Sequence, residues 1–291
     1  MIDKLEMFVA LAREGHFGRA AEAHGVAQPT LSSAIRALED QLGVQLVWRG
    51  SRYRGLTPEG QRVLERAVGI VAEARALREE MRAARPGVAG KLRLGVVPTA
   101  LARVARLTVP FLARNPGASV AILSRTSAEI REGIEAQVLD AGITYLDATP
   151  PSRLAQVALY HESYRLIELG ANTAPLTWAE AAARPLCLLT PDMQNRRIID
   201  AHLAEAGAQV SPRVESNSTI AILAHVAAGP WAAIVPEALA EGFALPRGCV
   251  SRPLAAPEAR HLVGLLMMAR DTHTPTLAAL IDEARRLAET G

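Results

Sequence analysis

The chain has few of the residues that would point to a disulfide-rich or metal-bound protein. Its 291 residues include two cysteines, Cys187 and Cys249, which lie far apart and lack the spacing of a metal site. Reduced, buried thiols are the simpler interpretation. Aromatic residues make up only 4% of the sequence, so the cores must be built from Ala, Leu, Ile and Val. No metal site and no cofactor are predicted.

Excess charge and long apolar runs are also missing. The formal net charge is +2, and Lys4 and Lys91 are the only lysines, so binding to any polyanion would depend on local arginine clusters. No apolar run reaches the length of a membrane span, and Asp3, Lys4 and Glu6 interrupt the apolar start that a signal peptide needs. We therefore expect a cytoplasmic protein without membrane contact, of about two domains at this length.

Residues 17–57 predict a helix–turn–helix followed by an Arg-rich loop. An Ala-rich helix over about 18–24 should end near Gly25, and Pro29 suits the first turn of the next helix. That second helix repeats its apolar residues on one face, at Leu31, Ile35, Leu38 and Leu42.

The other faces of this second helix remain available for DNA. Short polar side chains near a helix N-terminus suit the major groove, where Gln can pair with adenine and the Thr methyl can contact thymine. The predicted contacts from the helix are Gln28, Pro29, Thr30, Ser33 and Arg36. The loop adds cations for phosphates or a narrow minor groove, at Arg49, Arg52 and Arg54. The structural alternative is a capped helix and loop arginines that meet only solvent.

A long helix should follow, with Thr57 as N-cap and Pro58 in the first turn, and continue to about Arg85. Apolar residues recur in steps of four and three, at Val63, Ala67, Ile70, Ala74, Leu77, Met81 and Ala84. This heptad pattern predicts a homodimer seam that includes Val63, Ile70, Leu77 and Met81. The helix is roughly 40 Å long, too long for a small domain to cover, although the seam could instead pack on its own chain.

From Lys91 onward, strands alternate with helices, which favours parallel sheets with crossover helices. The predicted strands are 91–97, 119–126, 141–146, 163–169, 185–189, 213–216 and 232–235. The predicted helices are 100–114, 128–137, 193–206, 218–228 and a last one opened by Thr274 and Pro275.

Candidate effector-binding residues lie where these strands end and helices begin. Helix N-termini offer free N–H groups to an anion, and parallel sheets bind ligands at the carboxyl ends of their strands. The candidates are Pro98, Thr99, Ala100, Thr126, Ser127, Asn195, Arg196, Ser216 and Asn217. The structural alternatives are simple capping, as in a box formed by Thr126 and Glu129, and a surface role for Arg196.

With these residues in view, the chain resembles the LysR-type transcriptional regulators over essentially its full length. The resemblance is carried by AAEAHGVAQPTLSSAIRALEDQLGVQLVWR and LTPEG, and more weakly by KLRLGVV, LDAGITYL and VAAGPWAAIVP. Three positions depart from the family pattern: Gly18 replaces Ser or Thr, Val47 replaces Phe, and Trp231 replaces Gly. A narrower similarity, to regulators found beside formate dehydrogenase operons, is suggested by GITYLD and LLTPDMQNRRIIDAHL.

The resemblance implies a winged helix–turn–helix over 1–58, a dimerising linker helix over 59–87 and an α/β effector domain over 88–291. That domain would have two lobes, as in type 2 periplasmic binding proteins, with lobe I at about 91–160 and 265–291 and lobe II at about 161–264. Expected partners are double-stranded promoter DNA, further copies of the chain in a homodimer or homotetramer, RNA polymerase and a small effector. We expect the effector to be an anion, such as the small carboxylate formate, and we expect no catalytic residues.

Two other classes fit the pattern less well. A solute-binding protein of a transporter would share the two lobes, but it would need an export signal and no DNA-binding module. A cytoplasmic α/β enzyme would need catalytic motifs, and neither G-x-S-x-G nor H-E-x-x-H occurs.

Overall fold

The chain folds into two compact units, Met1–Ala84 and Arg85–Gly291. Hydrophobic cores lie within each unit. The computed structural model describes residues 1–48, 53–83, 89–148, 151–242, 245–255 and 260–290.

Helices dominate the N-terminal unit, and the three that were predicted from sequence begin close to the expected residues. Left-handed glycines follow two of them, Gly15 at φ 58° and Gly43 at φ 70°, and Gly25 at φ 65° turns the chain within the helix–turn–helix, as predicted. The helices are α1 (Ile2–Glu14), α2 (Phe17–Ala23), α3 (Gln28–Leu42) and α4 (Pro58–Ala83).

The apolar faces of these helices form one core. Leu31, Ile35 and Leu38 of α3 are buried together with Phe8 and Leu11 of α1. Each such side chain contributes roughly 1.5–3 kcal/mol when fully buried. The predicted apolar face of α3 is confirmed at these three positions, whereas Leu42 at the end of the helix is 39% exposed. The burial of this face fixes which side of α3 points outward.

A buried glutamate holds the chain that leads from α3 into the following hairpin. The Glu39 carboxylate accepts hydrogen bonds from the backbone N–H groups of Leu46, at 2.8 Å, and Val47, at 3.2 Å. Val47 then pairs antiparallel with Leu56. Val47 is itself buried, so the smaller residue at this position still fills the apolar site.

The start of α4 packs tightly against the base of the same hairpin. Thr57 Oγ1 accepts from the N–H of Gly60 at 2.9 Å and donates to the carbonyl of Gln45 at 2.5 Å, which confirms Thr57 as the cap. A Cβ on Gly60 would lie 2.0 Å from the Leu46 carbonyl oxygen. The TPEG segment therefore needs glycine at its last position.

The C-terminal unit contains strands and helices in two lobes. Its strands are β1 (Ala89–Val96), β2 (Gly117–Ser124), β3 (Ala141–Tyr145), β4 (Leu154–Glu162), β5 (Tyr164–Leu169), β6 (Cys187–Leu189), β7 (Val214–Ser216), β8 (Ala232–Pro236), β9 (Cys249–Pro253) and β10 (His261–Met268). Its helices are α5 (Val104–Arg114), α6 (Ser127–Glu135), α7 (Trp178–Ala182), α8 (Gln194–Glu205), α9 (Thr219–Ala228), α10 (Glu237–Gly242) and α11 (Pro275–Thr290). A 3-10 turn, Pro98–Ala100, precedes α5.

The prediction of parallel strands is confirmed for β1 with β2 and β3 and for β6 with β7, and it is wrong for the other strand pairs. In lobe I the strand order is β2-β1-β3-β10-β4, and β10 runs antiparallel to both of its neighbours. In lobe II, β5 lies antiparallel between β8 and β9, while β6 and β7 are parallel. The physical reason is that the chain crosses between the lobes twice, so a late strand returns to lobe I and enters its sheet.

The crossing points also refine the lobe boundaries. Ser163 separates β4 of lobe I from β5 of lobe II, and the chain returns before β10. The predicted boundaries at about 160 and 265 fall inside β4 and β10, both of which belong wholly to the lobe I sheet. Because β1, β3 and β4 run parallel, their carboxyl ends meet at one edge of that sheet.

The two cysteines are free thiols. Cys187 is fully buried in β6, and Cys249, the first residue of β9, is partly buried. Burial raises the pKa of both thiols, so neither is a reactive thiolate at neutral pH.

Candidate functional site

The outward face of α3 carries every helix residue predicted to contact DNA. Gln28, Pro29, Thr30, Ser33 and Arg36 are all exposed, whereas the apolar positions between them are buried. The first four occupy the first two turns of the helix. The arrangement presents short polar side chains and one arginine along one face, which suits insertion into a major groove.

A histidine takes the place of the usual cap at the start of α2. The Nδ1 atom of His16 accepts from the N–H of Gly18 at 3.0 Å and from that of Arg19 at 3.4 Å. A Cβ on Gly18, which departs from the family pattern, would lie 3.1 Å from Cε1 of this imidazole. The cap satisfies backbone donors that the helix cannot pair internally.

The hairpin beside α3 is described in part. Arg54 is exposed, as a phosphate-contacting residue must be, while Arg49 and Arg52 lie outside the described residues. Sequence reasoning missed Trp48, which is 52% exposed beside this loop. Its place in the sequence, directly before the arginine cluster, was the signal that could have marked it.

The predicted dimer seam divides into two parts along α4. Val63 packs against the core of its own N-terminal unit, which leaves it less surface for a partner. Ile70 and Leu77 are exposed, 46% and 57% respectively. The side chain of Met81 lies outside the part of the chain whose side chains the structure describes. Ile70 and Leu77, in the middle of the predicted seam, are therefore available to a partner, whereas Val63 at its start packs on its own unit.

Two predicted effector residues from opposite lobes meet at one hydroxyl. Thr99 follows β1 in lobe I, and Asn195 lies in the first turn of α8 in lobe II. Both contact the Tyr145 hydroxyl at the end of β3, Thr99 Oγ1 at 3.2 Å and Asn195 Nδ2 at 3.1 Å. All three side chains are buried. A buried polar contact therefore joins the two lobes at the edge of the lobe I sheet where the carboxyl ends of β1, β3 and β4 meet.

That contact continues to a buried acid, Glu162, at the end of β4. Its Oε1 accepts from the Tyr145 hydroxyl at 2.5 Å and from the Tyr164 hydroxyl of lobe II at 3.1 Å. Its Oε2 is buried with no hydrogen-bond partner among the described residues. Burial raises the pKa of Glu162 from 4.5 to about 7, although the Tyr145 hydrogen bond opposes the shift.

The remaining lobe I candidates are partly occupied by local bonds. Thr126 caps α6 in a capping box with Glu129, as the structural alternative held. Ser127 Oγ accepts from Thr144 Oγ1 at 2.9 Å, and Pro98 and Ala100 are buried. Among the lobe I candidates, Thr99 alone contacts a residue, Tyr145, that also forms a hydrogen bond with lobe II.

In lobe II, Arg196 is already neutralised. Its guanidinium lies 2.8 Å from Asp200 Oδ1 and 2.5 Å from Glu215 Oε1, and it also donates to the Leu189 carbonyl at 2.8 Å. Its side chain is 8% exposed. This geometry argues against Arg196 as the partner of an anionic ligand, because two carboxylates already face its single positive charge.

Thr190 of lobe II, which was not predicted from sequence, lies beside the candidate residue Ser216. Thr190 follows β6, and its Oγ1 is buried without a hydrogen-bond partner in the described structure. Its N–H donates to the carbonyl of Ser216 at 3.2 Å, which places it beside a predicted effector residue. Ser216 Oγ accepts from the N–H of Ser218, and Asn217 is exposed.

Two family models match the chain. The LysR substrate binding domain matches residues 85–289, and the bacterial regulatory helix-turn-helix protein, lysR family, matches residues 2–61. The chain belongs to the LysR family of transcriptional regulators. It is therefore a DNA-binding regulator with a substrate-binding domain for a small-molecule effector, and the family consists of regulators rather than enzymes.

Individual relatives and structures agree with this LysR assignment. The chain is 32% identical to the SDS degradation transcriptional activation protein of a Pseudomonas species over 243 residues, 80% of this chain and 78% of that protein. It is 36% identical to Escherichia coli XapR over 166 residues, which span about half of that relative, 56%. A full-length OxyR variant from Pseudomonas aeruginosa superposes with a TM-score of 0.73 at 25% identity, covering 98% of this chain and 97% of that one.

Two kinds of feature are missing from the residues of this LysR chain that the structure describes. None of its helices there combines the length and hydropathy that crossing a bilayer requires. Nor do three His, Cys, Asp or Glu side chains gather into a metal-binding group in the same residues.

Proposed function

We propose that α3 selects the operator through Gln28, Pro29, Thr30, Ser33 and Arg36. The observation that carries this proposal is their shared exposure on a helix whose opposite face is buried. Arg54, with Arg49 and Arg52, would supply the sequence-independent phosphate contacts. The function is sequence-specific regulation of transcription from promoter DNA.

The test is an alanine scan along the exposed face of α3. Thr30→Ala and Ser33→Ala should lower the ratio of promoter to scrambled-duplex affinity about tenfold, because each base contact is worth roughly 1–3 kcal/mol. Fluorescence anisotropy at fixed salt measures both affinities. Gln41→Ala, exposed at the far end of the same helix, is the matched control. Wild-type preference in both test variants would remove these residues from the operator contact.

The assembly proposed for this function is a homodimer formed through α4, with two dimers joining into a homotetramer. The exposure of Ile70 and Leu77 supports pairing along this helix. A dimer would place two copies of α3 on half-sites about one helical turn apart, or a multiple of it. Contact with RNA polymerase would then turn DNA occupancy into transcription.

The effector is proposed to bind between the lobes of the C-terminal domain. Thr99 and Ser127 of lobe I and Thr190, Asn195 and Ser216 of lobe II supply hydroxyl and amide groups there. The unpartnered hydroxyl of Thr190 supports this position, because buried polar groups are normally paired. To act as a switch, the effector must bind one arrangement of the lobes more tightly than the other.

A small carboxylate such as formate is the first effector class to test. Ser127, Gln194 and Thr219 open the helices α6, α8 and α9, and helix N-termini favour an anion. Since Arg196 is already bound to two carboxylates, an anion would be held by hydroxyl and backbone N–H groups. Glu162, with its raised pKa, could share its proton with such a ligand.

A further inference from the structure

Helix α8 of lobe II is bonded to lobe I near both of its ends. In its first turn, Asn195 Nδ2 donates to the Tyr145 hydroxyl at 3.1 Å. Farther along, His202 Nε2 lies 3.0 Å from Nε2 of His261, the first residue of β10. Asn195 and His202 are separated by about two helical turns, so they lie on one face of α8. This face of α8 therefore holds lobe II to lobe I.

The contact between the two histidines lies beside both crossings of the chain between the lobes. His261 stands where the chain returns to lobe I, and it pairs with Glu162 across the ladder of β10 and β4. Glu162 is the last residue before the other crossing, at Ser163. Any change in the angle between the lobes must turn the chain at these two crossings. A bond from α8 to His261 is therefore placed to hold that angle.

Aromatic rings of lobe II fix both imidazoles. Trp178 of α7 stacks on His202, with ring centroids 4.8 Å apart and an interplanar angle of 30°. Tyr164 of β5 meets the ring of His261 edge-on, with centroids 6.1 Å apart. Trp178 and Tyr164 are themselves buried. His202 therefore cannot turn away from His261 without leaving its stacked position.

The number of protons on the two imidazoles decides whether they can bond. A bond between two Nε2 atoms needs one N–H donor and one lone pair. Glu205 Oε2 lies 3.3 Å from Nδ1 of His202, which favours a proton on that Nδ1 and leaves Nε2 of His202 as the acceptor. His261 then donates, and it can still donate after gaining one proton. Two imidazolium rings, by contrast, would turn N–H groups and like charges toward each other.

The charged groups around the pair do not remove this restriction. Burial lowers the pKa of His261, the positive charge of His202 lowers it further, and Glu205 opposes the shift. Glu205 is exposed, so water screens its charge, and Arg260 next to His261 adds a positive charge. The carboxylate of Glu162, opposite His261 in the ladder, accepts from two tyrosine hydroxyls. A second proton on the pair therefore lacks a buried carboxylate to balance it.

We propose that the His202–His261 pair is a proton-operated latch between the two lobes. The pair holds α8 against the start of β10 while it carries at most one proton, and it releases α8 when both rings are protonated. In the released arrangement, each ring titrates as an ordinary histidine at about pH 6.5. The latched arrangement binds fewer protons, so it is favoured above about pH 6.5 and loses that advantage as the pH falls. The latch involves no effector, and its failure would leave the proposed function standing.

The separation of the lobes in the full chain tests the latch. Nitroxide labels at Glu132→Cys of α6 and Ala224→Cys of α9, both exposed positions, report this separation by double electron–electron resonance. Cys249→Ser removes the more accessible of the two native thiols. With both histidines present, we expect a second, longer distance whose population grows about threefold between about pH 7.5 and about pH 5.5.

Conservative variants separate the latch from other effects of pH. His202→Gln and His261→Gln each keep a hydrogen-bonding group and remove one of the two titrating rings. Both should keep the short distance at about pH 5.5. His161→Gln, at an exposed histidine of β4 near the same crossing, is the matched control and should open as the parent chain does. Glu162 cannot imitate the latch, because its protonation removes a buried charge and favours the closed lobes.

Two results would overturn the latch. One is a distance distribution in the parent chain that stays the same from about pH 7.5 to about pH 5.5. The other is acid-induced opening of His202→Gln and His261→Gln to the same extent as the parent chain, because the two imidazoles would then not be its cause.

Discussion

Gly60→Ala should destabilise the DNA-binding unit by on the order of 3 kcal/mol and lower its affinity for every duplex. The added Cβ would lie 2.0 Å from the Leu46 carbonyl oxygen, a backbone atom that cannot rotate away. Leu46 also accepts the N–H of Thr57 at 3.0 Å. Relief of the clash must therefore move either the first turn of α4 or the hairpin that carries the loop arginines.

Gly69→Ala, in the same helix, is the control for Gly60→Ala. A Cβ on Gly69 has nothing within 4 Å, so alanine should stabilise α4 by up to about 1 kcal/mol through its helix propensity. Urea unfolding and anisotropy with a promoter duplex measure the two effects. Equal stability of wild type and Gly60→Ala would mean that α4 does not press on the hairpin.

Glu162→Gln should change how stability depends on pH. The pKa of Glu162 is about 7 in the folded chain and 4.5 as an ordinary carboxyl. An acid whose pKa is raised by folding costs no stability below the lower value, and the cost grows to its full size above the higher one. The difference corresponds to roughly 3 kcal/mol. Wild type should therefore lose this amount between about pH 4.5 and pH 7.

Glutamine resembles the protonated acid and carries no such cost. The stability of Glu162→Gln relative to wild type should therefore rise between about pH 4.5 and pH 7, in urea unfolding of the full chain. Glu241→Gln, at an exposed position in α10, should show no such trend. A difference between wild type and Glu162→Gln that stays constant over this range would place the Glu162 pKa near its ordinary value.

The N-terminal unit could be predicted from sequence because its signals are local. Leu31, Ile35 and Leu38 recur with the helical period, and Gly25, Gly43 and Pro58 stand at helix ends. In a short helix, residues that are not on the buried face must be exposed. The candidate DNA contacts on α3 followed from this rule.

The C-terminal unit depended on pairing between distant segments, which sequence periodicity does not reveal. The strands β4, β9 and β10 and the short helices α7 and α10 were missed, and the apolar run of β10 has no alternation that distinguishes a strand from a helix. The strand β10 lies between β3 and β4, and its pairing with β4 determines where in the sheet the carboxyl end of β4 lies. For this reason Tyr145 and Glu162 could not be placed between the lobes in advance.

Among the effector candidates, the predicted strand ends indicated correctly where the residues lie. They did not indicate which side chains each residue contacts. Thr99 and Asn195 lie at predicted junctions and meet at Tyr145. Arg196 lies at the same junction as Asn195, but it already pairs with Asp200, one turn farther along α8, and with Glu215 of β7. Thr190 directly follows the strand predicted at 185–189, and its position alone could have added it.

The most direct test of the central claim is a footprint of the purified full chain on DNA upstream of its own and neighbouring genes, with and without small carboxylates. We expect two protected half-sites about one helical turn apart, or a multiple of it, and a pattern that one of the ligands alters. Protection should disappear on a scrambled duplex of equal length. Equal binding to the native and scrambled duplexes would contradict operator selection by α3.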